Sequence, residues 1–255
     1  MANLEGKLAL VTGGSRGIGQ DICLALAEAG ADIACVATNA DNAANTVAKV
    51  TKTGQKAMAF GARVEQVAAI EKLFSEVEAK MGVVDILINN AGVAAPQSIL
   101  EVDEAAYDRL VDINQKGLFF CARRAASAMI AQAKGGVIIN IGSIAGENAI
   151  PLRSTYCATK AAVHHLTRVM ALEWADNGIR VNCVAPGYIR TDIVQGLIDR
   201  GVLDKTILEG RIPQKRLGEG RDVAEAVCYL AGDGAAYVTG SILTVDGGWD
   251  AYGFI

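Results

Sequence analysis

The stretch Leu8-Ala9-Leu10-Val11-Thr12-Gly13-Gly14-Ser15-Arg16-Gly17-Ile18-Gly19 decides how the rest of the chain is read. Leu8 to Thr12 is a short apolar run of strand length, and Gly13-Gly14 stops it. A helix begins near Arg16. Ile18, Ile22, Ala25, Leu26 and Ala29 fall on one helical face, and Gly30 closes it. Asp32 to Ala37 reads as a second strand, which makes a β-α-β unit of the N-terminal segment. Glycines at the junction permit a tight turn and let a pyrophosphate approach backbone N–H groups at a helix N-terminus. A glycine-rich turn alone is commonplace. In this strand-turn-helix setting it points to dinucleotide binding.

The alternation continues outward. A polar helix spans about 41–53, a third strand 57–60, an amphipathic helix 67–81 and a fourth strand 85–89. A long helix covers about 104–133, interrupted near 112–116. Val137 to Ile141 is almost wholly apolar, as a strand buried on both faces requires. A helix carrying Tyr156 runs to about Asn177, with Val163, Leu166, Met170 and Trp174 as its core stripe. Arg180 to Ala185 is strand six, stopped by Pro186-Gly187; residues 188–215 are polar and poorly periodic. A helix over 221–230 and a last strand over 241–245 complete the chain. About seven strands alternate with helices and no linker intervenes. The expected fold is one α/β domain over residues 1–255, a doubly wound parallel sheet with helices on both faces. Ligands of such sheets bind at the strand C-terminal ends, where Thr12, Asn89, Ser143 and Pro186 fall.

Composition narrows the function classes. Of 255 residues, 51% are hydrophobic, enough for a sizeable core and too many for disorder. A net charge of -4 gives no basic footprint for nucleic acid. No apolar run reaches the roughly 18 residues that span a bilayer, and Met1 to Lys7 lacks signal-peptide anatomy. Cysteines 23, 35, 121, 157, 183 and 228 form no Cys-x-x-Cys pair, and the two histidines are adjacent, so no metal site is expected. Most of the cysteines sit in apolar strand or helix contexts and read as small hydrophobes, which implies a reducing, cytoplasmic setting.

Tyr156 and Lys160 stand four apart, on one face of their helix, and Ser143 lies thirteen residues upstream of the tyrosine. A phenol with a reference pKa of about 10 is a poor base at neutral pH. A nearby ammonium favours the phenolate, so Tyr156 can serve as proton donor and acceptor beside a hydride transfer.

Thr12-Gly-x-x-x-Gly-x-Gly19, Asn89-Asn90-Ala91-Gly92, Asn114, Ser143, Tyr156-x-x-x-Lys160 and Pro186-Gly187 together resemble the short-chain dehydrogenase/reductase family. The match runs through Val238-Thr239-Gly240 to Val245-Asp246-Gly247-Gly248. The resemblance implies a Rossmann-type domain, a nicotinamide cofactor and a catalytic set of Asn114, Ser143, Tyr156 and Lys160. It implies that Lys160 also bonds the nicotinamide ribose, that Ser143 and Tyr156 hold the substrate oxygen, and that Asn114 holds a water relaying protons from Lys160. Cofactor contacts implied by it are Gly13, Ser15, Arg16, Gly17, Ile18, Gly19, Thr38, Asn39, Val64, Asn90, Ala91, Gly92, Tyr156, Lys160, Pro186, Gly187, Ile189 and Thr191. By the same resemblance Tyr188, directly after Pro186-Gly187, would contact the substrate, and 188–215 match the family's substrate lid.

Cofactor choice turns on the end of strand two, Val36-Ala37-Thr38-Asn39, which lacks the acid that bonds the 2′-OH of NAD. Arg16 resembles a 2′-phosphate ligand, so NADP(H) is favoured and NAD(H) stays open. Where the family commonly carries Asp-Val or Asn-Val after strand three, this chain has Arg63-Val64. Arginine cannot accept from the adenine amine, although it can stack on the ring or reach phosphate.

Glu147, Asn148 and Arg153 lie where the family's pocket wall runs. A polar wall there suits a sugar, polyol or other small hydroxylated substrate; a solvated loop is the plainer alternative. A 3-oxoacyl-carrier-protein reductase is the second candidate, but its two basic docking positions correspond to Lys134 and Asn177, only one of them basic. A non-catalytic dinucleotide sensor would be expected to lose Tyr156, Lys160 or Ser143. His164 and His165 read as packed or at a subunit contact rather than as a metal site or proton shuttle. Family members are usually homotetramers, and the tail ending Gly253-Phe254-Ile255 is expected to dock on a neighbouring subunit.

Overall fold

A computed structural model describes residues 2–253, so the expected docking of the tail at Phe254 and Ile255 lies outside the described residues. Seven parallel strands, β1 (Leu8–Thr12), β2 (Asp32–Ala37), β3 (Ala57–Gly61), β4 (Ile86–Asn89), β5 (Gly136–Ile141), β6 (Ile179–Pro186) and β7 (Ile242–Val245), form one sheet in the order β3-β2-β1-β4-β5-β6-β7. Consecutive side chains of a strand face opposite sides, so each strand feeds two cores. Ala9 and Val11 join one, packed under helices α1 (Gly17–Glu28) and, from the C-terminal end, α9 (Gly220–Ala231). Leu8 and Leu10 join the other, with residues of α3 (Val67–Met81), α5 (Leu118–Gln132) and α6 (Ser154–Trp174). Burial on both faces is why the central strands β1, β4 and β5 are almost wholly apolar. Val163 and Met170 of the expected stripe are buried, and Leu166 and Trp174 pack against the same core.

The sheet order turns at β1 and β4: the chain winds outward to β3, then returns to place β4 on the other side of β1. Crevices form there because the flanking crossovers leave on opposite faces. Asn89 and Asn140 stand at matched register at the ends of β4 and β5.

Three segments differ from the sequence expectation. Asp85 precedes β4 rather than starting it, because its carboxylate accepts the Leu8 N–H at 2.8 Å. The helix expected over 41–53 begins as a 3₁₀ turn, Ala40–Ala43, capped by Asn39, before α2 (Ala44–Thr51). Residues 188–215 are not merely irregular. They hold α7 (Asp192–Asp199) and α8 (Lys205–Arg211), capped by the Thr191 and Asp204 side chains. Both helices are short, about two turns, so a mean periodicity over the whole segment hides them.

The expected interruption in the long helix is a π turn, Asp112–Gly117, between α4 (Glu104–Val111) and α5. A Cβ at Gly117 would stand 2.9 Å from the Val64 carbonyl oxygen, so glycine lets this turn close onto the segment after β3.

Candidate active site

At the β1–α1 turn Gly13 has φ +64°, the left-handed conformation that glycine adopts without penalty. A Cβ on Gly19 would sit 2.2 Å from the Gly13 carbonyl oxygen, so the helix can approach the turn this closely only without a side chain. Asn90 braces the turn from β4, its Nδ2 donating to the carbonyls of Thr12 and Gly13, each at 3.0 Å. Thr12 answers with Oγ1, which accepts from the N–H groups of Asn90 (3.0 Å) and Ala91 (3.1 Å). Sequence reasoning placed Asn90 at the cofactor; the structure shows that its amide also holds the shape of the turn.

The turn opens on a cleft of about 1030 Å³ along the C-terminal edge of the sheet. Gly13 and Ser15 to Gly19 form its floor, with Thr38 and Asn39 at one end and Val64 beside them. Asn90, Ala91 and Gly92 line the middle; Pro186, Gly187, Ile189 and Thr191 line the far wall. Ser143, Tyr156, Lys160 and Tyr188 face the same space. The fit to a nicotinamide dinucleotide is good: a glycine-cradled helix N-terminus for the diphosphate, no acid in the first turn of α1, and an elongated cleft from Thr38 to Tyr156.

Lys160 is only 5% exposed. Its Nζ donates to the Ile141 carbonyl oxygen at 2.7 Å and lies 5.7 Å from the centre of the Tyr156 ring. One of three N–H groups is thereby committed to protein, and the ammonium is fixed under the tyrosine. Ser143 follows β5; its Oγ accepts the Ala145 N–H at 3.1 Å, and a hydroxyl so held keeps its own proton to donate.

Asn114 is set behind the cleft wall. It is 1% exposed and does not line the cleft. Its Oδ1 accepts the Val93 N–H at 2.8 Å, and Nδ2 donates to the Val93 carbonyl (2.9 Å) and to Thr159 Oγ1 (3.2 Å). Both amide hydrogens are consumed in clamping the 92–93 backbone to α6. Thr159, which the sequence did not single out, passes the contact on by donating to the Tyr156 carbonyl at 2.8 Å. Asn89, Asn140 and Thr167 make a second buried chain: Asn89 Nδ2 to Asn140 Oδ1 (3.0 Å), Asn140 Nδ2 to Thr167 Oγ1 (2.9 Å). A strand-end asparagine gave only a weak signal of it, since its partners lie on other elements.

At the substrate end the expected polar wall is corrected. Glu147 and Asn148 do not line the cleft; Glu147 meets His164 and Arg168, and Asn148 bonds Asp250. Arg153 does line it, with the apolar Ile144, Ile150, Val194, Leu197 and Leu203. Tyr188 packs against Trp249 with the ring centres 4.8 Å apart and the planes tilted by 55°, and the Arg211 guanidinium caps the Trp249 ring at 3.8 Å. Burial raises the Tyr188 phenol above its ordinary range, with Arg153 and Arg211 pulling the other way.

His164 is packed, as read; His165 is exposed. The His164 ring fills the space over Gly142 and Gly146, where added Cβ atoms would come within 2.5 and 2.4 Å of it. Nδ1 lies 3.1 Å from Glu147 Oε1, and Nε2 has no hydrogen-bond partner among the described residues. Burial lowers the imidazole from its ordinary range against the pull of Glu147. Among the described residues no group of three or more His, Cys, Asp or Glu is placed to hold a metal ion.

At the opposite end Arg63 pairs with Glu65 at 2.7 Å, both lining the cleft. The Thr38 and Asn39 side chains hold Asn42: Thr38 Oγ1 accepts its Nδ2, and Asn39 Oδ1 its N–H. Arg16 lines the cleft with no side-chain partner among the described residues, whereas Asp41 does not line it.

Comparison with known proteins agrees with this geometry. A family model described as "Enoyl-(Acyl carrier protein) reductase" matches residues 13–250. The chain belongs to the short-chain dehydrogenase/reductase family. It is 41% identical to a 3-oxoacyl-[acyl-carrier-protein] reductase of Staphylococcus epidermidis over 243 residues, 95% of this chain and 98% of that one. It is 38% identical to a 2-dehydro-3-deoxy-D-gluconate 5-dehydrogenase of Dickeya dadantii over 247 residues, 97% and 96% of the two chains. A structure from Agrobacterium tumefaciens, described as a 2-deoxy-D-gluconate 3-dehydrogenase with bound NADP, superposes with a TM-score of 0.91 at 38% identity over 98% of both chains. This short-chain dehydrogenase/reductase is an oxidoreductase acting on alcohol or keto groups, as its relatives are. No described helix is long and apolar enough to cross a membrane.

Proposed function

We propose that this enzyme prefers NADP(H) and interconverts a small ketone and its secondary alcohol, sugars and polyols included. The observation that carries the reading is the Lys160 ammonium, pinned at 2.7 Å to Ile141 and lying under the Tyr156 ring on the wall that also bears Ser143. In reduction the Tyr156 hydroxyl protonates the carbonyl oxygen; in oxidation the phenolate takes the alcohol proton. Lys160 stabilises that phenolate by charge, and its remaining N–H groups serve the nicotinamide ribose. Ser143 donates to the substrate oxygen as negative charge develops. The nicotinamide, when bound, supplies or accepts the hydride. With both Asn114 amide hydrogens committed, the relay water falls to its backbone carbonyl, at a π turn where the helical ladder is widened.

The cofactor preference rests on Arg16, which faces the cleft with no side-chain partner among the described residues, and on neutral Thr38 and Asn39 at the end of β2. The NADP-bound relative favours the same choice. Val64 would flank the adenine, and Arg63, held by Glu65, would lie beside it. Residues 188–215, with α7 and α8, would act as the substrate lid, and Tyr188 would meet the substrate. We assign the chain one catalytic domain in a homotetramer of the cytoplasm. Phe119, Val169 and Leu172, exposed on α5 and α6, are apolar surface for such packing. An acyl-carrier-protein substrate is the second reading, carried by the Staphylococcus relative and set against by Asn177 at one of the two docking positions. A substrate panel run with both cofactors tests the proposal. The expected result is turnover of a small ketone or polyol with NADP(H) at least about tenfold better in kcat/KM, a difference of about 1.4 kcal/mol. A tenfold preference for NAD(H) would reverse the cofactor choice. Cofactor binding without turnover across the panel would favour a dinucleotide sensor.

A further inference from the structure

Arg153 is the residue at the N-terminal boundary of α6, three positions before Tyr156. It lines the cleft and is half-buried, yet its guanidinium makes no hydrogen bond or ion pair with any described residue. The other arginines of the substrate lobe are engaged: Arg211 lies on Trp249, Arg216 pairs with Asp222, and Arg190 with Glu219. Five basic residues line the cleft (Arg16, Arg63, Arg109, Arg153 and Lys160) against two acids, Glu65 and Asp192. The chain as a whole carries a net charge of -4, so positive charge is concentrated at this edge of the sheet. Arg16 and Arg63 stand at the dinucleotide end, Lys160 lies under the tyrosine, and Arg109 is solvent-exposed on α4. Arg153 is left over, electrostatically coupled to Tyr188 and neighboured by the apolar Ile150 and Leu203.

We infer that Arg153 binds a carboxylate of the substrate, which makes the physiological substrate a small hydroxy or keto acid rather than a neutral sugar or a thioester. This rests on the oxidoreductase reading above and narrows it. A guanidinium presents two parallel N–H donors that match a carboxylate, and it stays charged at every physiological pH. A half-buried guanidinium that faces the cleft with no counter-ion among the described residues is placed to receive an anion. Ile144, Ile150, Val194, Leu197 and Leu203 lower the local dielectric and strengthen such a pair. The site sorts substrates by charge at one end and leaves Ser143 and Tyr156 to handle the reacting oxygen at the other.

The test uses the NADP(H)-loaded full chain and two matched pairs of probes: D-gluconate against D-glucitol, and 3-hydroxybutyrate against its methyl ester. Each is titrated by the change in protein or reduced-cofactor fluorescence, with turnover measured in parallel. In the parent the acid of at least one pair binds about tenfold or more tighter than its neutral partner. In Arg153→Met that preference falls to within about twofold, while Arg153→Lys retains part of it, since a point charge remains but the bidentate fork is lost. Binding of NADPH to Arg153→Met stays at the parent value, which separates loss of the carboxylate site from misfolding. Equal binding of acid and neutral partner in both pairs overturns the inference, as does undetectable binding of all four or an unchanged preference in Arg153→Met. The two readings fail separately. Neutral ketones reduced with no acid preference remove the carboxylate site and leave the oxidoreductase; binding of acids without turnover of any probe leaves the site and removes the assigned chemistry.

Discussion

The two halves of the cleft are built by different means. The dinucleotide half is backbone packed on backbone. Gly13, Gly19 and Gly117 permit approaches that a single Cβ would block, and Asn90, Thr12 and Asn114 fasten the turns with short side-chain bonds. The substrate half is side chain packed on side chain. The Tyr188–Trp249 ring pair, Ile144 and the short helices α7 and α8 share a small apolar cluster of their own, separate from the two sheet cores. Backbone packing tolerates almost no substitution, because there is nothing flexible to move. Side-chain packing tolerates exchange of one apolar group for another at modest cost. One half can therefore hold a constant cofactor while the other is retuned for different substrates.

Tyr156→Phe sharpens this contrast most. It keeps the ring and removes the proton, so turnover is expected to drop by about 10²–10⁴-fold, the span of general acid–base contributions. Cofactor affinity measured by fluorescence titration should stay near the parent value. Turnover within a few-fold of the parent would remove Tyr156 from the mechanism.

Gly19→Ala puts a methyl 2.2 Å from the Gly13 carbonyl and within 2.5 Å of Asn90 Nδ2. Neither neighbour can yield, since the first is backbone and the second braces it. A loss of about 1–3 kcal/mol of stability is expected, with weakened dinucleotide binding. Denaturant unfolding with and without NADPH checks both; a parent-like midpoint and affinity would show that the turn is looser than its contacts imply.

His164 marks the seam between the halves, since its ring sits over Gly142 and Gly146 on either side of Ser143. Its folded-state pKa is depressed by burial, so the unfolded chain takes up the proton more readily. The stability that neutral His164 contributes is present above the ordinary histidine pKa and is lost as pH falls through the folded value. The melting temperature should decline on acidification below about pH 6.5, and His164→Leu should flatten that decline. An identical slope in the variant would assign the acid sensitivity elsewhere.

Gly196→Ala is the smallest expected effect and the mirror of Gly19→Ala. Gly196 lies inside α7 with nothing within 4 Å of its would-be Cβ. Alanine in an open helical position restricts the unfolded chain, so a gain of about 0.4–1 kcal/mol is expected with NADPH affinity unchanged. A loss of stability, or a loss of cofactor affinity, would show that α7 packs against something in the working enzyme.

Much of the fold was legible beforehand because it is written in local periodicities. Strand runs of five or six apolar residues, the α3 boundaries and the break at Asp112–Gly117 all follow from residues within a turn or two of each other. Every cofactor-facing residue expected from the glycine turn to Thr191 lines the cleft, with Ser143, Tyr156 and Lys160 among them. Asn114, expected in the catalytic set, lies behind the cleft, and the sequence could not show what holds it there: its partners Val93 and Thr159 are 21 and 45 residues away. The short helices α7 and α8 escaped because two turns rarely show a full amphipathic repeat.

By itself, the sequence determined the doubly wound sheet, the glycine turn and the Tyr156–Lys160 pair, since strand alternation, tight turns and i, i+4 spacing are properties of neighbouring residues. The tertiary structure decided which of the polar residues between Ser143 and Tyr156 faces the cleft. Glu147 is drawn away by His164 and Arg168, Asn148 by Asp250, 102 residues along the chain, and Arg153 alone remains turned inward. A side chain's direction is set by whichever partner reaches it, and partners that distant become neighbours only when the sheet has closed.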